Sequence, residues 1–143
     1  MTLLDGPLAA LVKAVQTGET SAEALAIEAL NRVEARNPEI NAICGISPAA
    51  LNEAQNVDDR LKAGKHLPLV GVPVVIKDNI WVKGLRIAQG SSLFADHIAP
   101  EDAEAVTRLR KAGAVVIGIA TCSEFACKGA TNSPLHGITR NPL

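Results

Sequence analysis

Two short apolar runs, Val72-Pro-Val-Val-Ile76 and Ala114-Val-Val-Ile-Gly-Ile119, constrain this chain more than any other feature. Each is continuous rather than alternating, the pattern of a strand covered on both faces, as in a parallel sheet. Between them, Glu101 to Ala112 sets Ala105, Val106 and Leu109 at helical spacing, and Gly113 is placed to stop that helix. Strand, crossover helix and strand form the unit that pairs in parallel. The sequence therefore predicts an α/β core beginning near residue 67 and continuing through 143, with residues 1–66 as a helical region ahead of it.

In that helical region Leu8, Leu11, Val12 and Val15 recur one helical turn apart, with Pro7 suited to the first turn and Gly18 to a stop. Thr20 and Glu23 have capping-box spacing, and Ala22, Leu25, Ala26, Ala29, Leu30 and Val33 make one apolar stripe. Glu28 faces Arg32 one turn on, and Asn37-Pro38 is expected to end this second helix. Asn41 to Ile46 reads as a short strand. Ser47-Pro48 supplies an N-cap and first-turn proline for a third helix carrying Ala50, Leu51, Ala54 and Leu61, its stripe interrupted by Asp58. From Thr121 the chain is rich in Thr, Ser, Asn, Gly and Pro and reads as loop, with one short helix at Ser123 to Ala126.

Composition removes several functions. With 14 Lys+Arg against 15 Asp+Glu the net charge is −1, unlike a broadly basic nucleic-acid binder. Only Trp81, Phe94 and Phe125 are aromatic, too few for base stacking. No apolar run reaches the ~18–20 residues of a membrane-spanning helix, and the start lacks the basic region of a signal peptide. Cys44, Cys122 and Cys127 cannot all pair, and Cys122 and Cys127 lack a neighbouring His pair that would suggest zinc. Buried free thiols in a reducing cytoplasm are the expectation.

Among residues able to carry chemistry, Lys77 stands out. It follows Val74-Val75-Ile76 directly and precedes Asp78-Asn79, at the carboxyl end of a buried strand, where α/β folds place their sites. Desolvation there disfavours an ammonium, and a neutral amine serves as base or nucleophile. The plainer reading is a strand-end lysine reaching solvent. Ser91 and Ser92 lack a nucleophile elbow and read as turn or cap residues, and Ser123 reads as an N-cap. His66, His97 and His136 have no Asp or Cys at a spacing that implies a triad or metal site, and surface or packing roles suffice for them. No glycine-rich phosphate loop is present to hold a pyridoxal group for Schiff-base chemistry.

Gly71-Val-Pro-Val-Val-Ile-Lys77-Asp78-Asn79 resembles the G-[VIL]-P-x-x-[IVL]-K-D-N signature of the amidase signature family. Asp102 to Gly118 is similar to that family's following helix and strand, Glu124-Phe125-Ala126 to its E-F-A, and Asn132 to Pro142 to its N…G-x-T-R-N-P stretch. Several ordered motifs in register carry far more weight than one. The resemblance implies a mixed sheet flanked by helices and an amidase acting on non-peptide carbon–nitrogen bonds. Its Ser–cis-Ser–Lys triad passes through an acyl-enzyme, with Lys77 as catalytic base and no metal or cofactor. Asp78 and Asn79 order the loop of Lys77. Cys127, Lys128 and Gly129 fall where the family lines its acyl pocket and are candidate substrate contacts. In the family both serines and the glycine-rich oxyanion loop follow the R-N-P motif, outside these residues, and none of Ser91, Ser92, Ser123 or Ser133 matches them. The 143 residues thus read as the N-terminal portion of a single amidase domain, inactive alone. Its partners would be the rest of that chain, a small-molecule amide and, for some readings, a second copy in a homodimer. Two other readings remain open at this point: the A subunit of a glutamine-dependent tRNA amidotransferase, and an amidase-derived module that binds a partner without catalysis.

Overall fold

The computed structural model describes residues 2–142; Met1 and Leu143, the ends of the span read as an amidase portion, lie outside the described residues. The central element is β3 (Val115–Ala120). It pairs in parallel with β2 (Pro73–Lys77), which sets Lys77 opposite Ala120, and antiparallel with β1 (Ile43–Ile46), giving the order β1-β3-β2. Helices α1 (Leu8–Gln16), α2 (Ala22–Ile40) and α3 (Ala50–Lys62) precede and interleave with the strands. Helix α4 (Glu104–Lys111) connects β2 to β3, as the crossover pattern predicts.

Strand β3 is apolar along its length because it is packed from both sides. Val115 and Ile117 join Leu11, Val15, Leu25 and Val57 of α1–α3 in one core. Val116 and Ile119 join Ile76, Val82, Ile87 and Val106 of α4 in another. A strict alternation would put Val116 and Gly118 on one face; the register shifts instead, with Val74 opposite Val116 and Val75 opposite Gly118, so Ile119 turns to the α4 side. At that shift the β1 backbone closes on β3. A Cβ at Gly118 would lie 2.3 Å from the Gly45 carbonyl oxygen, closer than any contact allows.

The local differences from the sequence reading have physical causes. Helix α2 is capped by Ser21, not Thr20: Ser21 Oγ accepts from Ala24 N at 3.0 Å. Asp58, which breaks the apolar stripe of α3, accepts from Ala22 N (2.8 Å) and Glu23 N (3.1 Å), so it caps α2 from a neighbouring helix. Pro38 lies inside the last turn of α2 rather than ending it. Asn41 then closes the helix in the left-handed region at φ 54°, while the Asn37 side chain takes the amides of Ala42 and Ile43. Helix α3 starts at Ala50, after a turn in which Ser47 O accepts from Ala50 N, so Ser47 is not its N-cap. Its buried face holds Ala50, Ala54 and Val57, while Leu51 is exposed. Ala105 of α4 is exposed and Val106 buried. Val75 is exposed, as is Lys77 two residues on along the same face of β2, while Ile76 on the opposite face is buried. Glu28 does pair with Arg32, Oε1 to Nη2 at 2.9 Å, and Arg32 also reaches Asp5, holding the N-terminal turn on α2. Among the described residues no helix is long and apolar enough to cross a membrane.

Gly118→Ala should therefore destabilise the fold by at least about 1–3 kcal/mol, the usual penalty of a core overpacked by a methyl group. Urea unfolding followed through Trp81 fluorescence checks this; an unchanged midpoint would contradict the close approach of β1 to β3.

Candidate active site

Lys77 ends β2. Its carbonyl accepts from Asn79 N (2.7 Å) and Ile80 N (2.9 Å), so the chain turns sharply as soon as the strand stops. Ile76, one residue earlier, is buried in the α4-side core, whereas Lys77 is exposed. The desolvated amine expected from the sequence is thus not produced by the described residues. Lys77 is the last residue of an edge strand and is exposed among the described residues.

Asp78 is different. It is 1 % exposed and sits at the centre of a set of backbone bonds. Its own N–H donates to Ala120 O (2.9 Å) and its carbonyl accepts from Gln89 N (2.8 Å). Its carboxylate accepts from Ala88 N at Oδ1 (2.7 Å) and from Gly90 N at Oδ2 (2.8 Å). A buried carboxylate is tolerated only with such donors, and here they lock the loop after β2 onto the end of β3. Gly90 has φ +65°, and a Cβ there would lie 2.6 Å from Cys122 O, so the loop approaches the segment just after β3 backbone to backbone.

The segment after β3 completes this end of the sheet. Ser91 Oγ donates to Glu124 Oε1 (2.8 Å) and accepts from Leu93 N, which confirms a turn role and adds a partner 33 residues away. Glu124–Ala126 form a short 3-10 turn in which Phe125 and Ala126 take φ of 49° and 55°, and Phe125 N donates to Gln89 O, itself at φ 55°. Three non-glycine residues in the left-handed region store strain, which occurs most often beside functional sites. Ser123 precedes the turn but makes no side-chain cap; its Oγ donates to Lys128 O (3.3 Å). Cys127, Lys128 and Gly129 follow, all exposed.

His136 is the residue the sequence reading missed. A hairpin of β4 (Asn132–Ser133) and β5 (Gly137–Ile138), where only loop was expected, carries it back to the sheet. There His136 Nε2 lies 2.8 Å from Asp78 Oδ2, with the imidazole only 6 % exposed. The two residues are 58 positions apart, so no local spacing could have announced the pair. Cys44 joins them: one ligand atom from each of Cys44, Asp78 and His136 fits within 4.8 Å. That trio suits a hydrogen-bonded cluster better than a metal. A separation of 2.8 Å is a bonding contact between His136 and Asp78, and both Asp78 oxygens already accept amides. Burial, reinforced by the charge of Asp78, also pushes the Cys44 thiol up to about 12, away from the thiolate a metal needs. Burial and then Asp78 push the Cys122 thiol up as well, with Lys77 opposing. Of the three thiols expected to be buried, Cys122 is, Cys44 is only half-buried and Cys127 is exposed.

A parallel strand pair displaying Lys77, a buried aspartate locking its turn, and a strained loop across from it make the carboxyl ends of these strands the candidate site. The model of the Amidase family matches residues 24–143, and the chain belongs to that family. It is 43 % identical over 134 residues to the A subunit of the glutamyl-tRNA(Gln) amidotransferase of Deinococcus radiodurans, a match covering 94 % of this chain and 28 % of that protein. Identity to the indoleacetamide hydrolase of Bradyrhizobium diazoefficiens is 40 % over 131 residues, covering 90 % of this chain and 25 % of the relative. The solved native peptide amidase from Stenotrophomonas maltophilia superimposes with a TM-score of 0.87 at 33 % identity, over 94 % of this chain and 29 % of that one. The chain therefore has the amidase signature α/β fold and spans only part of such relatives' length, 25 to 29 % in these three.

The thiols give a direct check. In the folded protein at neutral pH, iodoacetamide should modify exposed Cys127 fastest, half-buried Cys44 more slowly, and buried Cys122 only once urea is added; modification of Cys122 as fast as Cys127 would contradict its burial. The Cys44 thiol is raised from its ordinary 9.0 to about 12 by folding, so its contribution to stability is full below pH 9 and lost as pH climbs towards 12. Cys44→Ala should remove that part of the alkaline decline in urea midpoint.

Proposed function

We propose that this chain is the N-terminal part of an amide-bond hydrolase in which Lys77 is the general base of a Ser–Ser–Lys triad. The observation that carries the reading is Lys77 itself, on the signature Gly71-to-Asn79 run, at the open carboxyl end of β2, on a turn that Asp78 holds against β3. Residues 1–66 supply three helices and the edge strand β1, residues 67–143 supply β2, α4 and β3 of the same domain, and the two serines belong to the part of such an enzyme that this chain does not span. In the reaction the Lys77 amine takes, through the middle serine, the proton of the nucleophilic serine as that oxygen attacks the amide carbonyl. The same route returns a proton to the departing amine, and water then releases the acyl group from the serine. Lys77 is solvent-facing among the described residues, so the water-excluding wall comes from the serine-bearing part. Cys127, Lys128 and Gly129, exposed on the loop after β3, line the acyl side of the substrate space. The bond cleaved is a non-peptide carbon–nitrogen bond of a small-molecule amide, the setting is the cytoplasm, and no metal or cofactor takes part.

Glutamine is the second substrate to test, because the Deinococcus relative is the A subunit of an amidotransferase; that role would also bring partner subunits. The full-length protein should be assayed for ammonia release from glutamine, indole-3-acetamide and a C-terminal peptide amide. Lys77→Ala should lower kcat/KM on the best of these by about 10²–10⁴, the worth of a positioned acid–base group. A loss of less than a few-fold would end the assignment of Lys77 and leave the non-catalytic reading.

A further inference from the structure

His136 has no part in the triad just described, yet it is nearly as buried as the aspartate it touches. We propose that His136 is a positioning residue for Lys77: its Nε2–H holds the Asp78 carboxylate, and Asp78 holds the turn that carries Lys77. The inference rests on the reading of Lys77 as the base.

Three features support it. First, Asp78 Oδ2 has two donors, Gly90 N and His136 Nε2, each at 2.8 Å. A carboxylate oxygen only accepts, so the nitrogen facing it carries the hydrogen. Second, His136 is itself fixed on both sides. Its N–H donates to Ser133 Oγ at 3.0 Å, and its carbonyl accepts from Asn41 Nδ2 at 2.7 Å. Asn41 is the left-handed cap of α2, and its carbonyl accepts from Thr139 Oγ1 at 2.7 Å. The imidazole is thus presented by a braced hairpin rather than by a loose tail. Third, Asp78 follows Lys77 directly, and its main chain is bonded to Ala120 and Gln89. A shift of its carboxylate therefore moves the Lys77 turn and the Ala88–Gly90 loop together. Neither ring nitrogen nor carboxylate needs to meet substrate for this. The pair sets where the amine of Lys77 is mounted, and rate is steep in such placement: a displacement of about 1 Å costs on the order of 10²-fold.

Two amides of different length separate this role from packing. Glutamine places its Nε2 about where the imidazole Nε2 lies, whereas asparagine stops a bond short of Asp78. In the full-length amidase, with the best amide of the panel above, His136→Asn should lower kcat by about 10²-fold with little change in KM, and His136→Gln should stay within a few-fold of the parent. Hydrogen exchange supplies a readout independent of turnover. The Ala88 and Gly90 amides should exchange faster in His136→Asn than in His136→Gln, while the β3 amides of Val116 to Ile119 stay protected in both and report an intact sheet. Equal kcat and equal exchange in the two variants would overturn the proposal. Loss of β3 protection in both would overturn it too, since His136 would then be holding the fold rather than the turn. An unaffected Lys77→Ala would instead remove the reading beneath it; an inactive Lys77→Ala with equal Asn and Gln variants would remove this inference alone.

Discussion

Everything at the candidate site depends on one buried carboxylate being satisfied. Asp78 lies 1 % exposed at the join of β2, β3 and the loop that follows β2. Burying an ionised carboxyl without donors is prohibitive, so the chain must bring hydrogens to it. It does so with the amides of Ala88 and Gly90 and the imidazole of His136, from parts of the sequence 10, 12 and 58 positions away. That requirement pulls three segments to one point, and Lys77, the preceding residue, is placed as a consequence.

The scaffold beneath is equally specific. Strand β3 can serve two cores because its register shift at Gly118 lets Ile117 and Ile119 face opposite layers. Only glycine allows β1 to come close enough there. The carboxyl ends of β2 and β3 then lie side by side, one ending in Lys77 and the other leading into the strained Phe125–Ala126 turn. The rigid part of the site is thus the backbone, while the Lys77 side chain faces open space.

Much of this was legible in the sequence, because the informative signals were local. The apolar runs of β2 and β3, the intervening helix with its Gly113 stop, and the signature around Lys77 all read within a few residues, and the parallel pairing followed from their order. What was not legible depended on distance. Asp58 looked like an interruption of α3 and is a cap for α2; His136 looked like a packing residue and bonds Asp78. The end of α2 was misplaced because Asn37 and Asn41 make up in side-chain and left-handed backbone bonds what Pro38 removes. The C-terminal hairpin has strands of two residues, too short for any periodicity. The exposure of Lys77 escapes the sequence for a related reason: an apolar strand announces a core beneath it, not a lid above its last residue.

In the proposed mechanism Lys77 activates a serine nucleophile carried elsewhere in the same enzyme. The most direct measurement is the rate at which a fluorophosphonate labels the full-length protein, since that reagent reports an activated serine whatever the natural amide. A single labelled serine is expected in the parent, with labelling slowed by about 10²-fold or more when Lys77 becomes alanine. Labelling at the parent rate without the lysine, or no labelled serine at all, would contradict it.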